Sequence, residues 1–120
     1  MEERENNIKK FQKELLSGIA ALVLLSVLDK SEKPLYGYQI TKILGEGGKG
    51  LSLLKLGALY PVLRSLEKSA LLSSSVEPSF SGPPRRYYSI TQEGKETVRE
   101  WQKIWGQTQD FVNDIVGGVD

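Results

Sequence analysis

The sequence predicts a mostly helical domain that carries a small β-ribbon and ends in one long helix. Three observations predict it. Apolar residues recur at helical spacing in three separate stretches before residue 71. Two β-prone runs, 71–76 and 86–90, flank a loop rich in proline and serine. An apolar seam then repeats at alternating intervals of three and four from Val98 to Val119. At 120 residues the chain fits one domain and can bury a core without staples.

Residues 1–13 are polar and read as an N-terminal extension, either frayed or adding a turn to the helix that follows. The first helix runs from about 14 to 28. Its sequence, LLSGIAALVLLSVL, is apolar on nearly all sides, so more than one face should be buried. A domain this small offers little room for that, and a second copy would supply the missing surface. The run is shorter than the roughly 20 residues that span a bilayer. Glu2, Glu3, Glu5 and Glu14 before it, and Asp29-Lys30-Ser31 after it, do not suit a signal peptide. The expectation is a buried helix in a soluble, cytoplasmic protein.

Tyr36, Ile40, Ile43 and Leu44 place a second helix over 36–45, stopped by Gly45, Gly47, Gly48 and Gly50. A third helix starts near Leu56 or Gly57. Its apolar stripe is Leu59, Val62, Leu63, Leu66 and Ala70, and Pro61 sits near the first turn, where a missing N–H costs least. The opposite face shows Gly57, Tyr60, Arg64 and Lys68. In the ribbon that follows, Tyr87 and Tyr88 alternate, so one faces the core. The loop from Pro78 to Pro84 is too long for a tight hairpin.

Thr91 is suited to cap the fourth helix, 92–116, which would be about 38 Å long. Its seam is Val98, Trp101, Trp105, Thr108, Val112, Ile115 and Val119, widened by Ile104 and Phe111. Gly106 weakens the helix by about 1 kcal/mol, so packing must hold it. The body of the domain cannot cover a helix of this length, and a partner is expected. The chain thus divides into the extension 1–13, a body 14–90 and a C-terminal dimerisation helix 91–120.

Helix, glycine-rich turn, helix and ribbon in this order make a winged helix-turn-helix. Its logic is geometric. The third helix is about as wide as the DNA major groove, and the ribbon beside it reaches phosphates or the minor groove. The outward residues suit that use: Lys55, Tyr60, Arg64 and Lys68 on the helix, Arg85 and Arg86 on the wing. Residues 33–88 carry eight basic against three acidic residues, a net +5, while the flanks carry eight against twelve, a net −4. A basic middle between acidic ends fits a polyanion. The alternative is a winged-helix protein-interaction module without DNA binding, in which these charges only solvate a face.

Other chemistries find little support. The chain has no Cys and no His, which removes thiolate metal sites and the commonest general base and metal ligand. Glu93, Glu96 and Glu100 read as exposed helix residues, not as a catalytic carboxylate pair. No catalytic residue, metal or cofactor is expected. Residues 45–50 match GxGxxG, but they follow a helix, whereas the dinucleotide fingerprint follows a strand. They read as a linker. Trp101 and Trp105 lie one turn apart and read first as packing in a dimer interface. A planar aromatic ligand stacked there is a second use.

Five short motifs now stand in order: Tyr36-Gly37-Tyr38-Gln39-Ile40; Leu59-Tyr60-Pro61-Val62-Leu63; Leu66-Glu67-Lys68; Gly82-Pro83-Pro84-Arg85-Arg86-Tyr87-Tyr88; and Ile90-Thr91-x-x-Gly94. Together they resemble the PadR family of bacterial and archaeal regulators over about residues 15–105. The resemblance implies a winged helix whose C-terminal helix dimerises with the first helix of the partner, in the short form with a single such helix. It also implies repression at palindromic operators and, in some members, release of DNA by a small aromatic or amphipathic molecule in the dimer interface. Trp105 matches a position that lines such a pore in a multidrug-binding member. The candidate DNA-contacting set becomes Tyr38, Lys55, Gly57, Tyr60, Arg64, Lys68, Arg85 and Arg86, with Trp101 and Trp105 at the interface. The sequence departs from the family at Lys55, often Ser, and at Ala58, often Thr or Ser. Lys55 can replace a phosphate contact but not a hydroxyl cap, and Ala58 can replace neither.

Overall fold

The buried residues of the first helix, Ala20, Leu24, Leu25 and Leu28, fall on one stripe at helical spacing and anchor the core. In the computed structural model, which describes residues 1–47 and 56–117, that helix is α1 (Glu2–Lys30). It is followed by β1 (Leu35–Tyr36), α2 (Gly37–Gly47), α3 (Leu56–Lys68), β2 (Leu72–Glu77), β3 (Arg85–Ile90) and α4 (Gln92–Val116). The polar extension is helical from Glu2 and continues unbroken into the apolar stretch, adding about three turns. By length and composition α1 could cross a membrane, which the 14-residue run alone did not suggest. Here its second half packs against α3, α4 and β3 instead. The Ser31 hydroxyl donates to the Lys33 carbonyl at 2.6 Å and turns the chain toward β1.

The sheet has three antiparallel strands in the order β1-β3-β2. The ribbon pairs from Leu72 opposite Ile90 to Glu77 opposite Arg85. The strand β1 was not expected. It pairs Leu35 with Tyr88 and Tyr36 with Tyr87, and two residues are too few to show an alternating pattern. Strand alternation buries Tyr88 and leaves Tyr87 half-exposed. Helix α2 runs two residues further than expected, through Gly45 to Gly47. The glycines Gly48 and Gly50 lie outside the described residues.

One core joins these elements. Leu59, Leu63 and Leu66 of α3 meet Leu24, Leu25 and Leu28 of α1, Ile40 and Leu44 of α2, Leu72 and Tyr88 of the ribbon, and Val98 of α4. Helix α3 ends as Ala70 takes a left-handed conformation, φ 64°, with the Leu71 N–H bonded to the Leu66 carbonyl at 3.0 Å. Thr91 then ties α4 to this corner. Its hydroxyl donates to the Ala70 carbonyl at 2.7 Å and accepts from the Gly94 N–H at 2.9 Å. The N-cap role expected of Thr91 is realised. Helix α4 lies along α1, with Gln102 Nε2 donating to Ser26 Oγ at 3.3 Å. Past Trp101 most of its apolar residues are exposed: Ile104, Phe111, Val112, Ile115 and Val116.

Candidate nucleic-acid interface

Helix α3 turns one face inward because Leu59, Leu63 and Leu66 recur at four and three. Arg64 and Lys68, four apart, are therefore exposed on the outer face. Gly57 lies in the first turn of α3, and Ala58 beside it is exposed. Lys55 lies outside the described residues. Tyr60 does not sit fully on the outer face, as the helical wheel suggested. It is half-buried and packs against the core, because the ribbon covers that flank of α3.

The wing holds its two arginines differently. Successive residues of β3 face opposite sides, so Arg85 and Arg86 diverge. The Arg85 guanidinium lies over the Tyr36 ring, 4.5 Å from the centroid, in cation–π geometry. Tyr36 is itself held edge-on by Tyr87 at 5.3 Å and stacked with Tyr38 at 6.4 Å. Arg86 Nη1 donates to Ser74 Oγ at 3.0 Å, and that hydroxyl donates to Glu67 Oε2 of α3 at 2.7 Å. Arg86 is thus tethered through β2 to α3 and lies near a carboxylate.

Tyr38, Tyr60, Arg85 and Arg86 line one cleft between α2, α3 and the wing, so four of the expected contacts come together. Arg64 and Lys68 stand on the adjoining outer face. Among the described residues, ion pairs form at Lys10–Glu14 and Lys103–Glu100, and Arg64, Lys68, Arg85 and Arg86 form none. Basic side chains without acidic partners keep their charge for an external anion. Sequence reasoning missed the platform role of Tyr36 and the Ser74–Glu67 tether. Both depend on strand pairings, and the first on β1.

Trp101 and Trp105 share a second cleft, between α1 and α4, of about 460 Å³. Glu14, Leu15, Gly18, Ile19 and Leu22 line its other wall. Trp101 is half-buried, and Trp105 is 37% exposed. Among the described residues no cluster of acidic groups could hold a metal ion.

Comparison with known proteins agrees with this architecture. The family model described as the transcriptional regulator PadR-like family matches residues 24–100. A PadR family transcriptional regulator of Eggerthella lenta DSM 2243 is 29% identical, with a TM-score of 0.80 over 99% of this chain and 100% of that one. A PadR-like transcriptional regulator of Bacillus cereus is also 29% identical, with a TM-score of 0.70 over 88% of this chain and 99% of its own. An uncharacterised protein of Lysinibacillus sphaericus is 28% identical over 100 residues, 83% of this chain and 89% of that protein.

Proposed function

The chain belongs to the PadR-like family of transcriptional regulators, and we propose that it is a cytoplasmic repressor that binds an inverted-repeat operator as a homodimer. The observation that carries this reading is the set of cations around α3 that form no ion pair among the described residues. Arg64 and Lys68 stand on its outer face, with Arg85 and Arg86 on the wing beside it. Arg64 reads base edges, Lys68 and Arg85 hold phosphates, and Tyr38 and Tyr60 line the approach. Gly57 in the first turn of α3 and Lys55, which precedes that helix in the sequence, complete the proposed set. The exposed apolar seam of α4 and the exposed Leu15 and Phe11 of α1 support dimerisation through these two helices. Two recognition helices in such a dimer reach successive major grooves, about 34 Å apart. The Trp101–Trp105 cleft supports regulation by a planar aromatic effector that alters the angle between subunits.

Selection of bound duplexes from a random pool tests this directly. The enriched sequence should be an inverted repeat, and binding to it should weaken steeply with salt as counterions are released. Arg64→Ala should reduce its affinity by about 1–3 kcal/mol while leaving the melting temperature nearly unchanged. No enrichment, with salt-insensitive retention of a protein partner, would favour a protein-docking module.

A further inference from the structure

The loop that joins β2 to β3 carries one large apolar side chain, Phe80, and that side chain is fully exposed. Residues 78–84 hold no charged group, and Pro78, Pro83 and Pro84 restrict the backbone on either side of it. Exposed apolar residues are common singly. Phe80 differs by its place. It stands beyond Arg85, which is fixed on Tyr36 at the base of the same loop. The cations therefore sit at the base of the wing, and a neutral aromatic ring leads it.

We propose that Phe80 is an apolar wedge that enters the minor groove beside each half-site and partly unstacks one base step. The inference rests on the DNA-binding reading above. A neutral tip can enter the groove without shedding the hydration of a charge, while Arg85 remains against the phosphates that line it. Side chains of this kind, inserted between base steps, kink the duplex toward the major groove. Pyrimidine–purine steps unstack most readily, so the wing selects a TA or CA/TG step at a position that no polar side chain reads. The kink would also bring more of the duplex against the wing. Phe80 thus acts on sequence through deformability, and Arg64 through base edges.

The test uses a duplex selected from a random pool by the wild-type protein, with end labels for energy transfer and 2-aminopurine at the step flanking each half-site. Wild type should shorten the end-to-end distance and brighten the 2-aminopurine. Phe80→Ala should weaken binding by about tenfold and abolish both signals. Phe80→Leu, which keeps an apolar wedge, should retain most of the bend. Thermal melting should be the same for all three. Equal affinity and equal bending for wild type and Phe80→Ala would overturn the wedge and leave the DNA-binding reading standing. Failure of the wild type to enrich any duplex would overturn both.

Discussion

Gly94 in the first turn of α4 lies against the carbonyl of Leu71 so closely that a Cβ there would overlap the oxygen and stand 2.7 Å from Ile90 Cγ1. The contact joins the end of α3 to the start of α4, and Thr91 bonds both sides of it. The end of α3 and the start of α4 therefore meet in one tightly packed corner. In the proposed dimer, a rotation of α4 would be passed to α3 through this corner. Gly94→Ala should destabilise the protein by about 1–3 kcal/mol, as overpacking against backbone does. Thermal unfolding followed by circular dichroism would measure it. An unchanged melting temperature would mean that the corner yields easily and that the two helices are not rigidly coupled.

That corner also indicates what the sequence could and could not reveal. Helix α4 was legible because its cap, its 25 residues and its seam are all local signals, and its span agrees with the structure. The ribbon was legible from composition to within a residue at each end. The strand β1 was not, because only its pairing with Tyr87 and Tyr88 makes two residues a strand. The platform of Tyr36 under Arg85 was hidden with it. The first three turns of α1 were ambiguous because every residue through Leu15 is exposed, so no buried stripe marks them. Tyr60 misled the helical wheel because the wheel knows the axis of α3 but not which flank the ribbon covers.

The unequal anchoring of the wing arginines separates their roles. Arg85 rests on a ring and donates no side-chain hydrogen bond among the described residues, so in the proposed complex its donors are left for phosphate. Arg86 has already committed one donor to Ser74 and lies near Glu67. Arg85→Ala should weaken binding to specific and unrelated duplexes alike and reduce the slope of log K against log salt by about one contact. Arg86→Ala should do less of both. Tyr36→Leu should imitate part of the Arg85 effect, since it removes the platform and not the charge. Salt titrations by fluorescence anisotropy would rank the three variants. A larger loss from Arg86→Ala would reverse the assignment.

Tyr88 predicts an alkaline limit to stability. Burial pushes its phenol above the ordinary value of 10.0, and the Glu67 carboxylate adds to the shift while Arg86 opposes it. Above pH 10 the unfolded chain releases this proton while the folded chain keeps it. The native state then binds more protons, so stability falls as pH rises from 10 through the raised folded value. Below pH 10 the contribution is complete. Tyr88→Phe cannot ionise, so its stability should decline less steeply between pH 9 and about 11. Urea unfolding across that range compares the slopes. Parallel curves would show that the phenol does not govern the alkaline limit.

The Trp101–Trp105 cleft gives the most demanding test of regulation. The indoles lie one turn apart on α4, and the opposite wall is formed by small and aliphatic residues of α1, with no Cβ at Gly18 to narrow it. Flat aromatic faces suit a planar ligand, and the negative potential over the indole faces favours a cationic one. A second copy of the chain, packed on the same helices, would bring two further indoles close by. In the proposed dimer, ligand and partner would act on one surface, and the packed corner at Gly94 would relay a change there to α3. A planar cationic dye should quench the tryptophan emission saturably. Trp105→Ala should abolish that response while light scattering still reports a dimer. Dye and operator should also weaken each other's binding by the same factor, as linkage requires. A dimer whose emission no aromatic compound in a broad panel quenches saturably would have an interface filled by its own side chains. That outcome would leave the proposed effector without a site between α1 and α4.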